Sequence, residues 1–120
     1  MNNPDDEDLE KIEDFLETNG ISLSYNTNGE NYIDIVEDSI VVDALQNKRE
    51  IIYTILHEVG HYFSDFHPEE QTPTTQIIEE VLAWDSGYDI GCSLGVTIDD
   101  AGWYRLMIAS ISAYIQKANL

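Results

Sequence analysis

The chain has 120 residues, 24 of them acidic and five basic, for a formal net charge of -19 at pH 7. That length suits one domain over residues 1–120, with a single core and no room for a separate substrate domain. The charge argues against direct binding to nucleic acid or to an anionic membrane, and it leaves a basic protein as the macromolecule that electrostatics would favour.

The amino-terminal segment MNNPDDEDLE lacks the basic and apolar regions of a secretion signal, and the single Cys92 cannot form an internal disulfide. No apolar run nears the roughly eighteen residues that a membrane span needs. These features lead us to expect a soluble protein of a reducing cytoplasm.

Asn3 can cap a first helix, Pro4 suits its first turn, Leu9, Ile12, Phe15 and Leu16 fall on one face, and Gly20 ends it. Residues Ile21 to Tyr25 and Tyr32 to Val36 alternate apolar and polar side chains around Asn26-Thr27-Asn28-Gly29, which predicts a hairpin. Ile40 to Val42 adds a third short strand.

From Asn47 to Phe66 the apolar residues Ile51, Ile52, Ile55, Leu56, Val59 and Phe63 recur at three- and four-residue spacing, which predicts an amphipathic helix. Asn47 and Glu50 are spaced as a capping box. Gly60 costs about 1 kcal/mol relative to alanine inside a helix, so it predicts close approach of a neighbouring backbone or of a substrate.

A polar loop begins at His67-Pro68. Thr72-Pro73 then opens a helix carrying Ile77, Ile78, Val81, Leu82, Trp84 and Tyr88 and ending near Gly91. Thr97, three residues before Asp100, resembles a cap for a last helix whose stripe is Trp103, Leu106, Met107, Ile111, Tyr114 and Ile115. The expected fold is α+β, a small antiparallel or mixed sheet of about three strands packed on three of these helices.

Within the central helix stands His57-Glu58-Val59-Gly60-His61. On a helix the two histidines share a face while Glu58 sits about 100° round the axis, which supplies two neutral imidazole ligands and one base beside the metal. This H-E-x-x-H pattern is that of zinc metallopeptidases, and chance gives roughly one such match in a hundred chains of this composition. Without a metal, each histidine on so apolar a helix would need its own hydrogen-bond partner.

Catalytic zinc needs a third protein ligand. His67 stands six residues after His61, the metzincin spacing, but Ser64 replaces the glycine of that pattern, and Met107 lies in a helical stripe rather than in a Met-turn. The segment Glu79-Glu80-Val81-Leu82-Ala83-Trp84 resembles instead the E-x-x-A-[D/N] pattern of gluzincins, with Glu80 and Ala83 matching. The resemblance makes Glu80 the third ligand. Glu79 takes its place if the helix is rotated by one residue. Trp84 stands where the Asp or Asn that orients a ligating histidine is usual, and Asp85 is the nearest substitute.

Over roughly residues 5 to 118 the order of elements, with LHEVGHYF and EEVLAW, is similar to the ImmA/IrrE family of bacteria, phages and mobile elements. That resemblance implies a minimal zincin-like domain and a cytosolic zinc peptidase acting on a protein substrate. Members of the family cleave or inactivate repressor-like regulators. The helix-turn-helix segment common among them is not seen in this sequence.

Zinc on His57, His61 and Glu80 would lower the pKa of its water toward about 7, and Glu58 would take the water's proton and pass it to the leaving amine. Tyr62, Tyr88 and Tyr104 are the candidate hydroxyl donors to the oxyanion. Cys92, in a small-residue loop with no histidine near it in sequence, is not expected to act as a nucleophile. The alternative function is an acidic decoy that occupies a basic nucleic-acid-binding protein, with a structural or vestigial zinc site.

Overall fold

A computed structural model gives the structure of residues 3–117; residues 1, 2 and 118–120, part of the domain expected over 1–120, lie outside the described residues. Over the described residues the architecture is α+β, with four helices and a three-stranded mixed sheet.

Helix α1 (Pro4–Thr18) starts where its cap dictates. The Asn3 side chain accepts from the Asp5 N–H, and Asp5, Asp6 and Glu7 sit at the positive end of the helix dipole. Ile12 and Leu16 are buried, and Gly20 follows the helix at φ +70°.

Strands β1 (Ser22–Asn26), β2 (Tyr32–Asp34) and β3 (Ser39–Asp43) are ordered β1-β3-β2. The expected β1–β2 hairpin is therefore wrong: β3 lies between them, parallel to β1 and antiparallel to β2. Ile40 and Val42, both fully buried, make β3 the strand with most to gain from the central place. The turn residues serve another end. Asn26 Oδ1 accepts from the N–H groups of Asn28 (2.7 Å) and Glu30 (3.3 Å), while Nδ2 donates to the carbonyls of Glu30 and Val42. This closes residues 27–30 into a loop pinned to β3, and the chain crosses over instead of folding back.

The tight hairpin comes one connection later. Asp34 Oδ1 accepts from Val36 and Glu37 N–H, both at 3.1 Å, and Asp38 takes a left-handed φ of +50° before β3.

Helix α2 (Lys48–Phe63) is capped by Asn47, which accepts from Glu50 N–H at 2.9 Å. Glu50 returns a contact to the Asn47 side-chain amide rather than to its backbone, so the capping box is partial. Ile52, Ile55, Leu56 and Val59 form the centre of the core. The helix stops at Phe63, before the expected Phe66, because Ser64 is extended (φ −69°, ψ 137°).

Helix α3 (Pro73–Leu94) opens on a reciprocal Thr72–Thr75 capping box and runs past Gly91 to a left-handed Gly95. Gly91 is thus an interior contact, where a Cβ would lie 2.8 Å from the Leu56 side chain. Helix α4 (Asp100–Lys117) is capped not by Thr97 but by Asp99, whose carboxylate accepts from Gly102 N–H at 3.1 Å. Of its expected stripe only Trp103 is fully buried; Ile115 is exposed.

Thr97 has a different use. Its N–H donates to Asp8 (3.1 Å) and its carbonyl accepts from Arg49 (2.9 Å). Arg49 also pairs with Asp8 at 2.8 Å and with Asp5, which staples α1, α2 and the approach to α4 together. Among the described residues no helix is long and apolar enough to cross a membrane.

Candidate metal centre

Helices α2 and α3 cross where both have given up side chains. A Cβ at Gly60 would lie 1.9 Å from the Ala83 carbonyl oxygen, and one at Gly87 would lie 2.4 Å from that of Leu56. The two backbones are in contact, as Gly60 predicted. Gly60 lies between His57 and His61, so the crossing sets the next turn of α3, and Glu80 with it, against both histidines.

His57 Nε2 lies 2.6 Å from Glu80 Oε1, and His61 Nε2 lies 3.1 Å from Glu80 Oε2. One ligand atom from each of the three residues falls within 4.8 Å of the others. Despite its short separation from Glu80, the buried Nε2 of His57 has no hydrogen bond, because the geometry of a ring N–H donor is not met. Ligands of a tetrahedral zinc, each about 2.0–2.1 Å from the ion, lie roughly 3.3 Å apart. The His61–Glu80 separation matches that spacing and the 2.6 Å His57–Glu80 pair needs only a small opening, so two imidazole nitrogens and a carboxylate, one nitrogen buried without a hydrogen-bond partner, fit such an ion.

Electrostatics prepare the carboxylate. Burial pushes the Glu80 carboxyl up, but close contact with His57 and His61 and their charge outweigh it and hold Glu80 well below the usual carboxylate range. Burial pushes the His61 imidazole down, yet Glu80, helped by Glu58 and Glu79, leaves it above its ordinary value. Glu58 is raised, chiefly by burial, against the lowering influence of both histidines. A carboxylate with raised proton affinity beside one held low is the division of labour that general-base chemistry asks for.

The group opens into a cleft of about 510 Å³. One wall is the β2 edge with Tyr32, Ile33 and the following Ile35; the other is α4 with Leu106, Ser110 and Tyr114. Ser110 Oγ donates to Glu80 Oε1 at 2.8 Å and so holds the carboxylate from α4.

His57, Glu58, His61 and Glu80 are thus brought together. Glu79 lines the cleft, partly buried, but is not in the three-residue group. His67 is exposed in the loop between α2 and α3 and stands outside it, and the extended Ser64 makes no turn back toward α2. Asp85 is exposed and does not take the place of the missing Asp or Asn; Trp84 instead stacks on the His57 ring.

The three candidate tyrosines are not at the cleft. Tyr62 donates to Asp38 (2.9 Å), Tyr88 donates to Asp100 (2.8 Å), and Tyr104 is exposed. Tyr32 and Tyr114 line it in their stead. Cys92 sits not in a loop but exposed in the last turn of α3. Ser110 escaped sequence reasoning, although it is a polar residue seven places after Trp103 on an apolar stripe and so demanded a partner.

Comparison with protein-family models, with curated proteins and with solved structures returns no match to this chain.

Proposed function

We propose that this protein is a zinc-dependent metallopeptidase of minimal, gluzincin-like form, acting on a protein or peptide segment that enters between β2 and α4. The observation that carries the reading is the convergence of His57, His61 and Glu80 on one point, with Glu58 beside them and an open cleft in front. Zinc is the ion that two imidazoles and a carboxylate suit best, and when bound it supplies Lewis acidity and an acidified water.

The rest is done by the chain itself. Glu58, buried and raised in pKa, accepts a proton from the attacking water and returns it to the leaving amine. Ser110 holds Glu80 in its ligating orientation. The Tyr114 hydroxyl, on the cleft wall, is the nearest counterpart of the oxyanion donor expected from sequence. The likeness to the ImmA/IrrE family and a cytoplasmic site of action belong to the same proposal, with a regulatory protein as the substrate it suggests. The decoy alternative has the charge of -19 in its favour, but with its zinc site structural or vestigial it gives the open cleft and Glu58 beside the three-residue group no role.

Replacing Glu58 by glutamine tests the reading. Zinc should remain at one per chain while cleavage of a casein or mixed-peptide substrate falls by about 10²–10⁴. Full activity in that variant, or a wild-type protein that takes up no zinc when zinc is supplied, overturns it.

A further inference from the structure

A ligating histidine is normally held through its second ring nitrogen by a carboxylate or a carbonyl, which fixes the ring before the metal arrives. Among the described residues His57 has no such hold. Its Nδ1 stands 3.6 Å from Glu58 Oε1, beyond hydrogen-bond reach, and its Nε2 faces Glu80 without a hydrogen bond.

What does meet the ring is Trp84. The indole lies face to face with the imidazole, centroids 4.1 Å apart and planes 9° from parallel. Trp84 is itself immobilised, being only 3% exposed and abutting Trp103 edge-on at 5.0 Å and 80°. Trp103 is 1% exposed and is gripped in turn by Tyr53 and Tyr88 at 5.4 and 5.8 Å. An aromatic column therefore runs from the core to the back of His57.

Trp84 follows Glu80 by four residues, so one face of α3 presents the carboxylate and, a turn later, the indole. We infer that Trp84 is a positioning residue for the metal site, orienting His57 by stacking where a hydrogen-bonded carboxylate or amide would otherwise do so. The inference rests on the proposed metal site. It also has an electronic component: an imidazole that donates its lone pair to a cation becomes electron-poor and is drawn more strongly to the electron-rich face of an indole.

The test compares wild type with Trp84→Phe, which keeps a stacking face, and Trp84→Leu, which fills the space without one. Zinc affinity is read by competition with a chromophoric chelator, and site geometry by the visible d–d spectrum of the cobalt-loaded protein. Trp84→Phe should stay within about threefold of wild type with the same cobalt bands. Trp84→Leu should lose roughly ten- to a hundredfold in affinity and shift those bands, with the metal-free fold intact by circular dichroism. A merely structural role would lower stability without moving the cobalt spectrum.

Should Trp84→Leu fail to fold, biosynthetic replacement of tryptophan by fluorinated tryptophans changes ring electron density at almost constant volume. Zinc affinity should then fall in step with fluorination. Equal affinities and identical cobalt spectra across the variants, or across the fluorinated series, overturn this inference alone; absence of zinc and cobalt uptake by the wild type removes the proposed function and this inference with it.

Discussion

Gly60 and Ala83 meet backbone to backbone, the space for a Cβ at residue 60 falling 1.9 Å from the Ala83 carbonyl oxygen. The contact ties the fold to the site, since Gly60 lies between the two histidines and Ala83 lies one turn beyond Glu80. An alanine at residue 60 cannot be absorbed by a rotamer change, because the obstructing atoms are main chain.

Gly60→Ala should therefore push α3 away from α2, at a cost of about 3 kcal/mol or more, and weaken metal binding by withdrawing Glu80. Gly87→Ala, facing the Leu56 carbonyl at 2.4 Å, should act in the same direction. Thermal melts together with zinc titration check both. A Gly60→Ala protein of wild-type stability and zinc affinity would contradict the crossing.

The ligand set makes a second prediction. Glu80→Ala should abolish stoichiometric zinc binding, whereas His67→Ala and Glu79→Ala should each retain one zinc per chain, because only Glu80 reaches both imidazoles. Metal analysis after gel filtration in excess zinc reads the outcome directly. Loss of zinc from His67→Ala would restore the metzincin spacing as the working arrangement.

What could be read from the sequence, and what could not, divides along physical lines. The starts of α1, α2 and α3 were legible because caps act locally: Asn3, Asn47 and Thr72 satisfy N–H groups two or three residues away. The closeness of His57, Glu58 and His61 was legible because one helix fixes their spacing, and the place of Glu80 beside the histidines because its segment resembles a second motif. Strand order was not legible. Alternation tells which face of a strand is buried but not which neighbour it will pair with, and Asn26 used its turn chemistry to send the chain past β3. Ser110, Tyr114 and Tyr32 reach the cleft only through tertiary packing, and on α4 the stripe that carries Ser110 and Tyr114 read simply as core.

The staple at Asp8 should dominate the electrostatic part of stability. Asp8 is 3% exposed and takes both the Arg49 guanidinium and the Thr97 N–H, so its removal leaves the Thr97 N–H without its partner and Arg49 with only Asp5 and the Thr97 carbonyl. Asp8→Ala should cost about 1.5–3 kcal/mol. Lys48→Ala, which breaks an exposed pair with Asp6, should cost much less. Urea denaturation of both variants and of the Asp8/Arg49 double mutant decides the matter, and similar small losses for Asp8→Ala and Lys48→Ala would show that the buried pair adds nothing special.

The contact between α3 and the start of α4 can be followed by pH. Tyr88 donates to Asp100 at 2.8 Å, and this hydrogen bond, followed by partial loss of water and the charge of Asp100, raises the Tyr88 hydroxyl from 10.0 to about 12. A folded-state pKa above the unfolded value means that the favourable contribution is complete below pH 10 and disappears as pH climbs through about 12. The stability difference between wild type and Tyr88→Phe should accordingly be flat across neutral pH and narrow only in that alkaline window. In a spectrophotometric titration at the tyrosinate band, Tyr88→Phe should remove one late-ionising tyrosine, and Asp100→Asn should bring that ionisation back toward 10.0. Were the Asp100→Asn titration to overlay the wild type, the hydrogen bond joining the two helices would not exist in solution.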